Sequence, residues 1–201
     1  PISAIKIGML ATGDIVDTVA DRLATLPRQL PVVIDPALVS SSGQPLLEDG
    51  GLTHLRERLM PMATVVTPNL SEVAALLGLS TPPCPAEAAA ALVDQLDGAC
   101  AVLVTGGHSG DPSRCTDVLQ LTDGRTFRFE APRVDTTTTH GTGCVLSAAL
   151  TASLAWGHSL SDAVRGAKSW VTASLRLARP MGRGRGPVDT AWRPLANGES
   201  A

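Results

Sequence analysis

The chain has 201 residues, of which 44% are hydrophobic, 17% charged and 2% aromatic, and its formal net charge is −3. This length suits a single domain with a sizeable core, so we treat residues 1–201 as one domain. The negative charge and scarce aromatic side chains argue against a nucleic-acid partner. The absence of a long apolar run or a signal peptide argues against a membrane protein.

Predicted strands and helices alternate along most of the chain. In chain order, the predicted strands lie in the apolar runs SAIKIGML, PVVIDP, TVVTPN and CAVLVTGG. The predicted helices lie in GDIVDTVADRLATL, GLTHLRERLMPMA, PNLSEVAALLGL and an alanine-rich stretch near 85–97. This alternation indicates an α/β domain with a mostly parallel, buried sheet.

The last third of the chain has a different pattern. The segment TDVLQLTDGRTFRFE alternates polar and apolar residues on both sides of Asp123-Gly124, which predicts a β-hairpin. Two further helices are expected, one from Gly143 and one near 160–178. The tail MGRGRGPVDTAW is rich in glycine, and its basic residues suit a solvated loop better than a site.

The four cysteines are Cys84, Cys100, Cys115 and Cys144. They form no C-x-x-C pair and have no zinc-finger spacing. We interpret them as reduced thiols, which predicts a cytoplasmic protein.

Three predicted strand ends carry polar or glycine residues where ligands bind in open α/β sheets. Asp35 follows the second strand, where it is either a turn-forming Asp-Pro residue or a ligand. Asn69 and Glu72 follow the third strand, one helical turn apart, and are either a helix-capping pair or part of a site. The glycines of VTGGHSG follow the fourth strand, as a simple turn or a close approach to a ligand.

The segment TTTTHGTGCVLSAAL, residues 136–150, contains the strongest candidate site. Gly141 and Gly143 flank the start of a predicted helix, whose first turn has free N–H donors that suit a phosphate. Cys144 follows them, and a thiol at a helix N-terminus generally has a lowered pKa. It could therefore be a proton acceptor or a nucleophile, and the alternative is a small buried residue in the core.

Several common motifs are absent from the sequence. It has no G-x-x-x-x-G-K-[ST] phosphate loop, no protein-kinase signature and no H-E-x-x-H. In GGHSGD, Asp111 occupies the position of the final glycine in the hydrolase motif G-x-S-x-G.

The motifs KIGML, VVIDP, TPNLSEVAALLG, GGH, APRVDTTTTHGTGCVLSAAL and GRGRGPV occur in one order along the chain. In the identity and order of these motifs, the chain resembles the bacterial hydroxymethylpyrimidine and phosphomethylpyrimidine kinases of thiamine biosynthesis. The resemblance extends from about Ile2 to Val188. The resemblance implies the three-layer α/β/α fold of the ribokinase-like superfamily. THGTGC is specific, because most of that superfamily has aspartate where this subgroup has cysteine.

The resemblance implies that ATP phosphorylates the hydroxymethyl group of a pyrimidine, or its monophosphate. Cys144 would accept the proton of the alcohol. The backbone amides of Gly141, Thr142 and Gly143 would form the anion hole for the transferred phosphoryl group. Such a site positions the reactants and stabilises charge, as phosphoryl transfer requires.

The same resemblance assigns binding roles. Met9 and Ala37 would contact the pyrimidine. Mg²⁺ would be held by Asp35 and Glu72. The family positions that lie near the nucleotide are matched in this sequence by Asn69, Thr105, Gly107 and Lys168.

The sequence departs from the family pattern at several positions. Thr105 replaces the lysine of KGGH, which is expected to contact ATP phosphates, so we expect weaker nucleotide binding. Thr138 and Thr190 replace a common asparagine and histidine. The family's N-terminal part has no counterpart here. We therefore expect an N-terminally truncated fold, with poor phosphorylation and association through the open sheet edge.

Other functions remain open on the sequence. Within the superfamily, the alternative is a pyridoxal-type kinase. A cysteine hydrolase using Cys144 with His140 or His108 is a different class, and nothing orients either histidine. A non-catalytic nucleotide- or pyrimidine-binding protein is a third. The family tends to form dimers, which leaves a homodimer open.

Overall fold

A computed structural model describes residues 2–40, 43–107 and 112–192. In this part of the chain, one sheet contains six strands whose order across the sheet is their order along the chain. The strands are β1 (Ile5–Ile7), β2 (Val32–Ile34), β3 (Val65–Val66), β4 (Ala101–Val104), β5 (Arg114–Gln120) and β6 (Thr126–Pro132).

The first four strands are parallel, and the last two form an antiparallel hairpin on β4. Every residue of β2, β3 and β4 is buried, as expected for short apolar strands covered on both faces. The β5–β6 turn has Gly124 at φ 87°, and Asp123 accepts a hydrogen bond from the Arg125 N–H. The predicted parallel sheet and hairpin are both confirmed.

The helices are α1 (Gly13–Ala24), α2 (Gly51–His54), α3 (Leu70–Leu77), α4 (Pro85–Gln95), α5 (Thr142–Ala155) and α6 (Leu160–Leu177). Helix α2 continues through a π-helical turn, Leu55–Leu59, and a 3₁₀ turn, Met60–Met62. Each lies within a segment that the sequence predicts to be helical. None of the described helices is both long and apolar enough to cross a membrane.

Helices cover both faces of the sheet. On one face, α1, α3 and α4 pack on side chains such as Ile34 and Val66. On the other face, α5 and α6 pack on Val33, Val65 and Leu103. Neighbouring strand residues point to opposite faces, so Val33 and Ile34 belong to different cores. The result is the predicted three-layer α/β/α fold.

Candidate active site

The carboxyl ends of the parallel strands bring the predicted site residues to one edge of the sheet. Asp35 directly follows β2, Asn69 follows β3, and Thr105 follows β4. Asn69 and Thr105 form a parallel bridge, in which the Thr105 N–H donates to the Pro68 carbonyl at 2.9 Å. Helix α5 begins over the same edge and contacts β1 and β2.

Asp35 is buried, with 7% of its surface exposed. Its Oδ2 accepts a hydrogen bond from Ser147 Oγ of α5 at 3.1 Å, and Lys6 Nζ of β1 lies 3.9 Å from the same oxygen. Burial raises the pKa of Asp35, and the Lys6 charge and the hydrogen bonds from Ser147 and the Ala37 backbone partly oppose the rise. The second strand therefore ends in a buried carboxylate with one oxygen held in place.

Glu72 is a second buried carboxylate, in the first turn of α3. Its Oε2 accepts the Asn69 N–H at 2.9 Å, and Asn69 Oδ1 accepts the Glu72 N–H at 3.0 Å, which together form a capping box. Glu72 Oε1 accepts the Leu38 N–H at 3.1 Å. Burial raises the pKa of Glu72; the Asn69 N–H opposes this, and the charge of Asp35 adds to it. Asn69 and Glu72 thus cap the helix, and the charge of Asp35 also raises the pKa of Glu72.

Helix α5 begins with a glycine in the left-handed region. Gly141, at φ 84°, is its N-cap, and Thr142 Oγ1 donates to the Thr139 carbonyl at 2.6 Å. In the described part of the chain, the N–H groups of Gly143 and Cys144 have no acceptor. A Cβ at Gly143 would meet only Asp35 Oδ2, at 3.8 Å. The first turn of α5 therefore presents free donors directly beside the Asp35 carboxylate.

Cys144 lies in this first turn as an exposed free thiol. Its exposure contradicts the alternative interpretation as a small buried core residue. It also precedes Ser147 by three residues, which brings the two residues to neighbouring positions on the helix surface. The thiol is thus accessible beside the free donors.

The turn after β4 is tied to α6 by a buried ion pair. Lys168 Nζ donates to Asp117 Oδ2 at 2.8 Å, and Asp117 Oδ1 accepts the Gly106 N–H at 2.9 Å. A Cβ at Gly106 would lie 1.9 Å from the Thr116 carbonyl oxygen, so only glycine fits there. The predicted nucleotide residue Lys168 is therefore close to the turn that contains Gly107, but its ammonium is engaged by Asp117.

A cleft of about 320 Å³ lies between β6 and α6. Its wall includes Lys168 and is rich in cationic side chains. The cleft is lined by Arg128, Phe129, Glu130, Ala131, Pro132, Arg165, Lys168, Ser169, Thr172 and Arg176. Arg165 stacks over the Phe129 ring at 5.6 Å. The cleft therefore presents several cationic side chains, and its one aromatic ring is already covered by Arg165.

The two residues assigned to the pyrimidine follow neighbouring strands. Met9 follows β1 and is 58% exposed, and Ala37 follows β2 with a positive φ of 46°. His108 lies outside the described residues. Among the residues that are described, no group of three or more histidine, cysteine or acidic side chains could hold a metal. A metal here would depend on phosphate oxygens for its remaining ligands.

Three residues at this edge were not identified from the sequence: Lys6, Ser147 and Asp117. Lys6 stands between two isoleucines of β1, and a charged residue inside a short apolar strand was a detectable signal. Ser147 and Asp117 gave no such signal, because their partners are 112 and 51 residues away.

The sequence and the fold were compared with those of known proteins. The family model described as phosphomethylpyrimidine kinase matches residues 1–189. A hydroxymethylpyrimidine/phosphomethylpyrimidine kinase of Haemophilus influenzae is 40% identical over 190 residues, covering 94% of this chain and 70% of the relative. A thiamine biosynthesis bifunctional protein of Geobacter sulfurreducens is 40% identical over 194 residues, covering 94% of this chain and 38% of that protein.

The fold is also similar to that of solved kinases. The pyridoxal kinase from Staphylococcus aureus in complex with AMP-PCP and pyridoxal matches with a TM-score of 0.80 and 29% identity. The match covers 93% of this chain and 66% of that chain. That structure contains AMP-PCP and pyridoxal.

Proposed function

Since the chain belongs to the phosphomethylpyrimidine kinase family, we propose that it transfers phosphate from ATP to a hydroxymethyl group. The acceptor is 4-amino-5-hydroxymethyl-2-methylpyrimidine, its monophosphate, or both, in thiamine biosynthesis. The observation that supports this best is the position of the Gly143 and Cys144 N–H groups beside the buried carboxylate of Asp35. Donors, carboxylate and thiol are the parts that phosphoryl transfer needs.

We assign the anion hole to the backbone amides of Gly141, Thr142 and Gly143. The Thr142 N–H already donates to the Thr139 carbonyl at 3.4 Å, so the Gly143 N–H, with the Cys144 N–H beside it, is the donor that would face a phosphoryl group most directly. Gly141 begins the helix with a left-handed φ, so that the first-turn donors face outward. Apart from its chain neighbours and the adjacent helix backbone, no residue lies within 4 Å of a Cβ built at Gly141. The positive end of the helix dipole adds to their attraction for a phosphoryl group. These donors are fixed before the ligand arrives, so they stabilise the developing charge with little reorganisation.

The residues assigned to Mg²⁺ fit a metal that keeps most of its ligands from phosphate and water. Asp35 and Glu72 are buried acids at adjacent strand ends. Burial raises the pKa of both carboxyl groups. Bringing a cation beside two buried carboxylates would favour their charged forms. When bound, Mg²⁺ neutralises charge on the transferred phosphate.

The nucleotide is assigned to the region between β4 and α6. Asn69, Thr105 and Gly107 follow β3 and β4, where they would face the phosphates. Lys168 anchors the Gly106 turn through Asp117. The cleft between β6 and α6 lies beside this region, and its arginine side chains would attract an anionic ligand such as ATP.

The acceptor pyrimidine is assigned to the other side of the anion hole, against Met9 and Ala37. Met9 is exposed and apolar, so it can cover one face of a small ring. Cys144, in the first turn of α5, is assigned as the base that takes the proton of the attacking hydroxyl. A hydroxyl placed between this thiol and the anion hole would be in line for transfer.

The proposed function is tested by measuring ADP formation with three acceptors: hydroxymethylpyrimidine, its phosphate and pyridoxal. We expect turnover with the first or the second, and ATP hydrolysis without acceptor serves as the background. ADP formation with none of the three would contradict the proposal and favour a binding protein.

Pyridoxal is included because solved pyridoxal kinases share the fold. A higher kcat/KM for pyridoxal than for both pyrimidines would assign the chain to that activity instead. The exposed Met9 surface does not discriminate between the two rings by itself, so the ratio of the kcat/KM values decides.

A further inference from the structure

The segment that follows α6 returns to the loop that leads into α5. The His140 N–H donates to the Gly186 carbonyl at 3.0 Å, and the Val188 N–H donates to the His140 carbonyl at 3.1 Å. Farther on, Trp192 stacks on Trp170 of α6, with 4.4 Å between ring centroids, and donates to Ser174 Oγ at 2.9 Å. The returning segment is therefore held at Gly186 and Val188, and again at Trp192.

Gly186 brings this segment into close contact with the loop before α5. A Cβ at Gly186 would lie 2.8 Å from Thr138 Cγ2, and Thr138 is fully buried. A larger residue would push the two segments apart. Because His140 directly precedes the N-cap Gly141, the segment's position is fixed relative to the anion hole.

A cleft of about 430 Å³ lies where the two segments meet. It is lined by Thr137, Pro180, Gly182, Arg183, Gly184 and Arg185. Arg183 is exposed, and it forms no ion pair with any described residue. The cleft is thus lined by two arginine side chains, two glycines, a proline and a threonine.

The charges at the nearby sheet edge are mostly paired. Three buried acids lie there, Asp35, Glu72 and Asp117, and the two lysines that face them are Lys6 and Lys168. Both lysines are within ion-pair distance of a carboxylate, and Arg133 donates to the Gly107 carbonyl at 2.8 Å. Further positive charge near this edge would strengthen the attraction of a polyanionic ligand.

We propose that the cleft of Thr137 and residues 180–185 is a phosphate-binding subsite, in which Arg183 and Arg185 bind phosphate groups of a ligand that occupies the anion hole. Arginine suits this role because its planar fork can contact two phosphate oxygens at once. The proposal rests on the proposed function. The phosphate belongs either to the nucleotide or to the pyrimidine monophosphate, which share this chemistry.

The test compares Arg183→Gln/Arg185→Gln with wild type and with Arg22→Gln/Arg28→Gln. The control variant removes the same charge from two exposed positions. Arg22 lies in the last turn of α1 and Arg28 follows that helix, near the edge of the sheet opposite the candidate site. The measurements are the Kd values of ADP and adenosine by calorimetry, and the KM values of ATP, hydroxymethylpyrimidine and its phosphate. Thermal unfolding checks that the variants are folded.

We expect the Kd of ADP and the KM of ATP to rise about tenfold, as for the loss of a charge-assisted hydrogen bond, with adenosine unchanged. A rise in KM confined to the phosphorylated pyrimidine would support the subsite and assign it to the acceptor. Equal losses for ADP and adenosine, or no change in any constant, would overturn the proposal. If wild type phosphorylates no acceptor, the proposed function fails, while the comparison of ADP with adenosine still tests the subsite.

Discussion

Ser147 Oγ donates a hydrogen bond to Asp35 Oδ2 at 3.1 Å, and both side chains are buried. The contact joins the end of β2 to the second turn of α5, across 112 residues of sequence. Ser147 Oγ also lies 3.0 Å from the Gly143 carbonyl. One hydroxyl therefore connects the carboxylate assigned to the metal with the helix turn that forms the anion hole.

The first prediction concerns Ser147→Ala. Loss of the hydroxyl leaves Asp35 Oδ2 without its donor from α5, so we expect about 1 kcal/mol less stability and a higher Mg²⁺ concentration for half-maximal activity. Urea unfolding and a Mg²⁺ titration of kcat measure the two effects. Thr151→Ala is the matched control, since the Thr151 hydroxyl donates to the Ser147 carbonyl within the same helix and, among the described residues, makes no other side-chain hydrogen bond. Wild-type Mg²⁺ dependence in Ser147→Ala would contradict this role.

The second prediction concerns Asp35→Asn. Burial raises the pKa of Asp35 above its ordinary value of 3.8, so the folded protein holds this proton more tightly than the unfolded chain. The ionised carboxylate therefore costs stability, and the cost grows as pH rises from about 3.8 and is complete above the raised pKa. Asn carries no charge, so the variant is expected to gain about 2–4 °C in Tm at pH 7 while losing phosphorylation activity.

Thermal unfolding of wild type and Asp35→Asn between pH 4 and pH 8 measures this effect. The difference in Tm is expected to shrink towards acid pH, where both side chains are neutral. A lower Tm for the variant at pH 7 would show that the carboxylate stabilises the fold, contrary to our account.

Much of the fold follows from local sequence patterns. The apolar runs before Asp35 and Asn69 predicted strands, Asp123-Gly124 predicted the hairpin, and Asn69 with Glu72 predicted a helix start. These patterns act within a few residues, where turn chemistry and capping dominate. The π-helical turn at Leu55–Leu59 was not predicted, because its spacing also fits an ordinary α-helix.

The site was predictable only where its residues lie in motifs. The segment around Gly141 and Cys144 was recognisable because a helix start defines its own donors. The partners of Asp35 and Lys168 were not, since they depend on which strands and helices become neighbours. For Lys168 the sequence indicated a position near the nucleotide, whereas the ion pair with Asp117 emerges only from the fold.

The third prediction concerns the pair Lys168 and Asp117. Lys168→Met leaves a buried carboxylate without its partner, which is expected to cost about 3–5 kcal/mol. The double variant Asp117→Asn/Lys168→Met carries no buried charge, and Asn can still accept the Gly106 N–H, so most of the loss should be recovered. Urea unfolding of wild type, Lys168→Met, Asp117→Asn and the double variant forms a double-mutant cycle. Equal stabilities for Lys168→Met and the double variant would contradict a structural ion pair.

The fourth prediction concerns Thr105, which replaces the lysine usual in the family and lies half-buried beside Asn69. Thr105→Lys adds a cation next to the phosphates, so we expect the KM of ATP to fall by roughly 2–10-fold. Thr105→Met matches the length of the side chain without the charge and should give no gain. Equal KM values in the two variants would show that position 105 does not face the phosphates.

The central claim is that Cys144 is the base of a kinase reaction, and its most direct test is the kcat of Cys144→Ala with the best pyrimidine acceptor. We predict a loss of about 10²–10⁴-fold, the usual effect of removing a general base, with the Kd of ADP unchanged. Cys144→Asp should retain part of the activity, and Cys84→Ala, which removes another exposed thiol, should retain all of it. A Cys144→Ala protein with wild-type kcat would contradict the account.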